Sequence, residues 1–123
     1  MELNKNIVLL GMMGSGKSTI GYLLSKKLDL RLKDIDKIIE NKTGNKIPEI
    51  FLSKGEDFFR KLEEKITLKI LNSEKNIIAL GGGAFINKNI RKEVLSKNLS
   101  FWLHWSNSTI IKRISNNTVH HHI

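Results

Sequence analysis

The stretch that decides the fold is residues 7–21, IVLLGMMGSGKSTIG, near the start of the 123-residue chain. Within it, Gly11 to Ser18 match the pattern G-x-x-x-x-G-K-[ST] at every defined position. Glycines in such a loop let consecutive backbone N–H groups approach an anion, and the following helix adds the positive end of its dipole. An apolar run precedes the loop and a helical pattern follows it, as the motif requires. We therefore predict a nucleotide-binding site here.

The motif also predicts what its side chains do. Lys17 can reach the β- and γ-phosphates of a nucleotide, and the Ser18 hydroxyl is placed to ligate Mg²⁺. We expect the nucleotide to be bound by the loop residues Gly14, Ser15, Gly16, Lys17, Ser18 and Thr19.

Length and composition indicate one domain spanning residues 1–123. The chain is 40% hydrophobic, which is enough to bury a core, and it has no cysteine for disulfides or thiolate metal sites. It shows no targeting leader and no apolar run of membrane-spanning length. We therefore expect a cytoplasmic protein that does not contact membranes.

The chain is strongly basic, with 21 Lys and Arg against 12 Asp and Glu and a net charge of +9. The lysines are scattered rather than gathered into a basic block, so the charge does not indicate a nucleic-acid surface. A positive field would equally attract a small anion such as ATP. We expect no nucleic-acid partner.

Apolar runs alternate with helical spacings along the chain. The predicted strands are 7–10, 30–33, 76–80 and 99–105; the predicted helices are 18–28, 36–42, 48–53, 56–72, 87–96 and one starting after Ser106. This alternation predicts a three-layer α/β/α fold around a parallel sheet. Ligands of such sheets bind beyond the carboxyl ends of the strands, where the glycine-rich loop and two further polar or glycine-rich stretches lie.

Two aspartates, Asp34 and Asp36, follow the second predicted strand. If the chain stays extended, their side chains point the same way, and if it turns into a helix they diverge. Either arrangement suits a kinase, which needs one carboxylate near Mg²⁺ and one near the acceptor hydroxyl. The alternative is that Asp36 only caps the next helix.

A second candidate binding residue is Arg60, near the start of the long helix. It falls four residues after Glu56 and three before Glu63, so ion pairs on the helix surface are one interpretation. The other is that its planar guanidinium binds a ligand carboxylate in bidentate fashion.

The third stretch, Gly81-Gly82-Gly83, follows a buried strand. It offers either a flexible turn or a backbone that a ligand can approach, with free N–H groups. Phe51 and Phe59 either line a pocket or belong to the core.

Taken together, these motifs resemble those of the shikimate kinase family. The resemblance rests on GMMGSGKST, on Asp-x-Asp followed by Ile39-Glu40, on Ile50-Phe51, on Gly-Glu-x-x-Phe-Arg-x-x-Glu at 55–63, and on the triple glycine. Their order and spacing agree from about residue 5 to residue 119. The resemblance implies a P-loop fold like that of nucleoside monophosphate kinases. It also implies ATP-dependent phosphorylation of the 3-hydroxyl of shikimate, a step of aromatic amino-acid (chorismate) biosynthesis.

The resemblance further implies residue roles. Lys17 would bind the phosphates, Ser18 and Asp34 would hold Mg²⁺ (Asp34 through water), and Asp36 would bind substrate hydroxyls and act as the base. Residues 34–63 would form the substrate-binding segment. Arg60 would pair with the shikimate carboxylate. Other substrate contacts would come from Gly81, Gly82 (through its N–H), Gly83, Phe51 and Phe59, and an adenine contact from Arg113.

The chain departs from the family pattern at residues 117–123, NTVHHHI. The family continues after Asn-Thr with Arg-Pro-Leu-Leu, which begins a mobile lid, whereas His120 and His121 occupy the arginine and proline positions here. The family's last strand and helix would also be missing. We therefore expect weak or no activity from this chain alone, and an uncovered sheet edge through which an otherwise monomeric protein can self-associate. A metal site at His120–His122 is disfavoured because no carboxylate or cysteine neighbours it.

Two alternatives stay open. The chain could be a non-catalytic remnant that binds ATP or shikimate, or a kinase for another small polyol acid such as gluconate.

Overall fold

The computed structural model describes residues 6–11 and 17–103. In chain order they form β1 (Ile7–Leu10), α1 (Lys17–Leu28), β2 (Arg31–Asp34), α2 (Ile35–Thr43), α3 (Ile47–Lys54), α4 (Glu56–Leu71), β3 (Asn76–Ala79), a 3₁₀ helix (Ala84–Ile86), α5 (Lys88–Lys97) and β4 (Leu99–Trp102). The predicted alternation of strands and helices is confirmed over this part of the chain.

The four strands form one parallel sheet in the order β2-β3-β1-β4. Every residue of β1 and β3 is buried, as short apolar runs at the centre of a sheet should be. The edge strand β2 instead carries Arg31, Lys33 and Asp34 and is partly exposed. Charges on an edge strand disfavour pairing with another chain, so β2 is protected at that edge.

Each face of the sheet has its own hydrophobic core. Ile7 and Leu9 of β1 pack with Ile20 of α1 on one face. Val8 and Leu10 point to the other face, where the core also contains buried residues of α2, α3, α4 and α5. The alternation of side chains along a strand places helices on both faces, which confirms the predicted three-layer α/β/α fold.

The buried side-chain amide of Asn6 connects the amino ends of three strands. These ends lie opposite the carboxyl ends of the strands, where the ligand site is predicted. Nδ2 of Asn6 donates to the carbonyl of Leu71 at 2.8 Å and to Oδ1 of Asn98 at 2.9 Å. Oδ1 of Asn6 accepts from the backbone N–H of Asn76 at 2.8 Å. These bonds connect the start of β1 to the end of α4 and to the starts of β3 and β4.

Up to Lys97, each predicted boundary lies within one residue of the observed one. At Asp34, strand β2 runs one residue further than predicted and α2 begins at Ile35 rather than Asp36, because Asp34 caps the helix. The predicted stop at Gly44 is confirmed: this residue is the left-handed C-cap of α2, with φ of 74°. The sequence predicts a last strand that reaches Trp105, but β4 ends at Trp102 and Leu103 is no longer in a strand. The rest of the predicted extension and the helix after Ser106 lie outside the described residues.

Candidate active site

The carboxyl ends of three neighbouring strands lie side by side at one end of the sheet. Because all strands are parallel, the carboxyl ends of β1, β2 and β3 lead into Gly11, into Asp34 and into Leu80-Gly81. Asp34 pairs in register with Ala79 of β3, which brings the second and third strand ends side by side. The three stretches singled out by the sequence therefore converge on one region.

Lys17 bridges the two ends of the glycine-rich loop. Its Nζ donates to the carbonyl of Gly11 at 2.6 Å. Burial lowers the pKa of Lys17, and the negative charges of Asp36 and Asp34 oppose that change. Lys17 thus lies in the field of both carboxylates, as a phosphate-binding lysine facing an acceptor site should. Gly14, Ser15 and Gly16 lie outside the described residues, and Thr19 is exposed in the first turn of α1.

The two carboxylate oxygens of Asp34 face different partners. Oδ1 accepts the backbone N–H of Lys37 at 3.3 Å and so caps α2. Oδ2 lies 3.5 Å from the hydroxyl of Ser18 on α1. The aspartate that caps the helix is therefore Asp34, and Asp36 is left available within the first helical turn.

Asp36 turns its carboxylate toward the third strand end. A Cβ built on Gly81 would lie 3.0 Å from Oδ1 of Asp36, so the carboxylate rests against the backbone there. Burial raises the pKa of Asp36; the charges of Asp34 and Glu40 add to this rise, while those of Lys17 and Arg60 oppose it. The two aspartates diverge, one toward Ser18 and one toward Lys17 and Gly81.

Arg60 lies against the backbone of Gly83, as Asp36 lies against that of Gly81. A Cβ on Gly83 would collide with its guanidinium, at 2.8 Å from Cζ. Nη1 donates to Oε1 of Glu63 at 2.8 Å, and Nε lies 3.6 Å from Oε2 of Glu56. The interpretation as surface ion pairing is wrong for one partner, because the Glu63 side chain is only 2% exposed.

The middle glycine differs from its two neighbours. A Cβ on Gly82 would meet no atom within 4 Å, and within the described ranges no acceptor takes its N–H. Gly81 and Gly83 are thus restricted by Asp36 and Arg60, while a side chain at Gly82 would meet open space. Residues 81 and 83 lie at most about 7 Å apart along the chain, so the carboxylate of Asp36 and the guanidinium of Arg60 contact neighbouring positions of one short backbone segment.

The two predicted phenylalanines stack on each other beside this region. The rings of Phe51 and Phe59 have centroids 4.8 Å apart, and Cζ of Arg60 lies 5.2 Å from the centroid of Phe59. Phe59 is 3% exposed and belongs to the core, whereas Phe51 is partly buried against it. The pair therefore forms the support on which Arg60 rests.

Sequence reasoning missed the burial of Glu63. The apolar face of α4 was predicted from Phe59, Leu62, Ile66 and Ile70, and Glu63 falls four residues after the first and three before the third. That spacing places the carboxylate on the buried face and could have revealed it. Arg113 and His120–His122 lie outside the described residues, so what the sequence indicates for them stays a prediction.

The fold and the residues at the carboxyl ends of its strands define a class: a P-loop kinase-like protein in which two carboxylates and an arginine lie near the lysine of the phosphate-loop motif. Comparison with known proteins gives the family. A family model described as shikimate kinase matches residues 13–121. The chain is 45% identical to a shikimate kinase of Sulfurihydrogenibium sp. over 91% of its length, and 41% identical to one of Geobacillus kaustophilus over 82%. The chain belongs to the shikimate kinase family.

Solved structures agree with this assignment. Shikimate kinase from Acinetobacter baumannii, in complex with shikimate, matches 95% of the chain with a TM-score of 0.80 and 32% identity. Shikimate kinase from Aquifex aeolicus matches 86% with a TM-score of 0.76 and 34% identity. A gluconokinase from Sinorhizobium meliloti, at 18% identity and a TM-score of 0.55, shares the fold alone.

The chain spans only part of its relatives: 68% and 57% of the two curated proteins and 67% and 63% of the two shikimate kinase structures. Among the helices of the described part, none is long and apolar enough to cross a bilayer.

Proposed function

We propose that this chain binds ATP and shikimate and transfers the γ-phosphoryl group of ATP to the 3-hydroxyl of shikimate. The proposal is supported by family membership and by a relative at 32% identity that was solved in complex with shikimate. One observation carries it: Asp36 and Arg60 lie against Gly81 and Gly83, and a side chain at Gly82 would meet no atom within 4 Å. A ring bearing hydroxyls at one end and a carboxylate at the other fits this arrangement of charges.

Arg60 and Asp36 would position the acceptor. Arg60 would bind the carboxylate through the paired N–H donors of its planar guanidinium. Asp36 would accept hydrogen bonds from the hydroxyls, and the N–H of Gly82 would donate to the substrate. Phe51 and Phe59 would support the ring and the guanidinium.

The nucleotide is bound at the first strand end. Backbone N–H groups of residues 14–19 and the ammonium of Lys17 would surround the phosphates. Lys17 lies in the field of Asp36, which supports a phosphate donor and an acceptor close to each other. The adenine contact of Arg113 stays a prediction from the resemblance.

Ser18 and Asp34 are suited to hold Mg²⁺. The ion prefers oxygen ligands, and a hydroxyl and a carboxylate oxygen face each other here at 3.5 Å. Because Oδ1 of Asp34 is engaged by the backbone of α2, only Oδ2 is directed at the site. When bound, the ion would neutralise charge on the phosphates.

The chain's own residues then account for the transfer. The substrate hydroxyl oxygen forms a bond to the γ-phosphorus as the bond to the ADP oxygen breaks, and the hydroxyl proton passes to Asp36. Asp36 need not be a strong base, since orienting the hydroxyl supplies much of the effect. Lys17 stabilises the charge that develops on the transferring group.

The test is ADP release by the purified chain with ATP, Mg²⁺ and shikimate, followed over single turnovers because we expect slow reaction. Asp36→Asn should lower the rate by about 10²- to 10⁴-fold. Saturable ATP binding without any turnover would instead support the non-catalytic remnant. Faster turnover with gluconate than with shikimate would overturn the substrate assignment.

The other expectations stay predictions from the sequence. These are a single domain over residues 1–123, a monomer that can associate through its sheet edge, no nucleic-acid or membrane partner, and location in the cytoplasm.

A further inference from the structure

We infer that Glu63 is a proton-binding residue of the ligand site, so that a carboxylate ligand on Arg60 binds together with a proton taken from solvent. The inference rests on the proposed function, because that function supplies the carboxylate. The transfer reaction itself does not use the buried acid Glu63. The inference assigns this residue a role in ligand binding.

The first basis is the burial of Glu63. The residue is 1% exposed and lies on the buried face of α4 with Phe59, Ile66 and Thr67. Its Oε1 accepts from Arg60, but Oε2 has no hydrogen-bond partner among the residues the structure describes. One turn further along, the hydroxyl of Thr67 is equally without a partner there. A buried carboxylate with a single donor is poorly compensated as an ion.

The second basis is the set of charges around Glu63. Arg60, on the same helix, and Asp36, on α2, are the charged groups that act on it within the described ranges. α3, α5 and the 3₁₀ helix also pack against α4, but they bring no further charge to bear on this carboxyl in that part of the chain. Burial raises the pKa of Glu63, the hydrogen bond and charge of Arg60 oppose the rise, and Asp36 adds to it.

These two features couple the ligand to the proton. The ionised form of Glu63 is stabilised by one cation, Arg60, and the proposed ligand carboxylate would bind that same cation. A second anion beside Glu63 repels its ionised form and competes for the guanidinium, so the pKa of Glu63 rises further on binding. Glu63 then takes up a proton, and the complex gains one negative charge from the ligand and up to one positive charge from solvent.

Calorimetric titration of the chain with shikimate, in buffers of different ionisation enthalpy, measures the number of protons bound. We expect uptake by the native chain and weaker binding as the pH rises, by up to about tenfold per pH unit where uptake approaches one proton. Glu63→Gln should remove most of the uptake. Glu56→Gln is the matched control, because it removes a carboxylate from the same guanidinium at a position that is 68% exposed. It should retain the uptake.

Several results would overturn the inference. Shikimate binding without buffer dependence removes it and leaves the proposed function intact, whereas no shikimate binding removes both. Uptake that persists in Glu63→Gln and disappears in Asp36→Asn assigns the proton to the other acid. Should Glu63→Gln fail to fold, infrared difference spectra of the native chain still decide: shikimate must produce the carbonyl band of a protonated carboxyl, and its absence overturns the inference.

Discussion

The carboxylate of Asp36 lies against the backbone of Gly81, so that a Cβ at position 81 would stand 3.0 Å from Oδ1 and 3.2 Å from Oδ2. Both separations are shorter than ordinary van der Waals contact. Glycine is needed here for space rather than for an unusual backbone conformation, since Gly81 is not among the positive-φ glycines. The identity of residue 81 therefore sets where the proposed base lies.

Gly81→Ala should displace the Asp36 carboxylate by a few tenths of an ångström. A misplacement of about 1 Å costs on the order of 10²-fold in rate, so kcat for shikimate phosphorylation should fall, by less than that factor. Thermal unfolding should change little, because the obstructing atoms are the end of a side chain. Initial rates over a range of shikimate concentrations give kcat and KM; an unchanged kcat would contradict the placement of Asp36 as the base.

Gly83→Ala should act on Arg60. The added methyl group would collide with the guanidinium of Arg60, which must move from its present position. Loss of a charge-assisted bidentate contact should raise KM for shikimate by about tenfold or more, with a smaller effect on kcat. The same initial-rate measurements test this, with the KM for ATP as the internal control. A fall in kcat at constant KM would show that Arg60 does not bind the substrate in the ground state.

The central architecture could be predicted because it follows from local patterns. The strand at Ile7–Leu10 is a short apolar run that ends at a glycine, and the stop of α2 at Gly44 needs a left-handed residue. Parallel strands then bring the glycine loop, the aspartates and the triple glycine to one edge whatever the details of packing.

The finer geometry depends on contacts between elements. Whether Asp34 or Asp36 caps α2 is decided by where β2 stops pairing with β3, and the sequence of residues 34–36 permits either. The pairing of Arg60 with Glu63 could be foreseen, and the spacing of Glu63 from Phe59 and Ile66 indicates the buried face of α4. The sequence does not give the contacts between helices that leave Oε2 of Glu63 without a hydrogen-bond partner in the described part of the chain. The need for glycine at 81 and 83 likewise arises from side chains far away in sequence.

Glu63 should make folding stability depend on pH. Its pKa is raised in the folded state above the ordinary value of 4.5, so the folded form favours the protonated acid. The corresponding stability is fully present below pH 4.5 and is lost as the pH rises through the raised pKa. A pKa that is higher by one in the folded chain than in the unfolded chain corresponds to about 1.4 kcal/mol.

Glu63→Gln should remove this dependence, because glutamine cannot ionise. Relative to the native chain, the free energy of unfolding of the variant should increase as the pH rises above 4.5. Urea unfolding at a series of pH values measures the difference, and Glu64→Gln on the same helix is the control. A difference that is constant with pH would show that Glu63 titrates alike in the folded and unfolded chains.

Glu40 should fix the position of α3 relative to α2. Its Oε2 accepts the N–H of Ile47, the first residue of α3, at 2.9 Å, and its ion pair with Lys46 is longer, at 3.9 Å. Glu40→Ala leaves the N–H of Ile47 without an acceptor and should lower the free energy of unfolding by about 1–3 kcal/mol. Lys46→Ala, which removes only a surface ion pair, should cost less than about 1 kcal/mol. Similar losses in the two variants, measured by urea unfolding, would contradict this assignment.

Asn6 should contribute more to the free energy of unfolding than an exposed asparagine, because its buried side chain makes three hydrogen bonds. It donates to the carbonyl of Leu71 and to Asn98, and it accepts the N–H of Asn76, all at 2.8–2.9 Å. Asn6→Ala removes these bonds at a buried site and leaves their partners unsatisfied, which should cost about 2–4 kcal/mol. Asn72→Ala, at an exposed amide bonded within its own helix, should cost less than about 1 kcal/mol. Equal changes in the urea midpoints of the two variants would mean that the amino ends of the strands are held together by apolar contacts, and that the buried amide adds nothing to them.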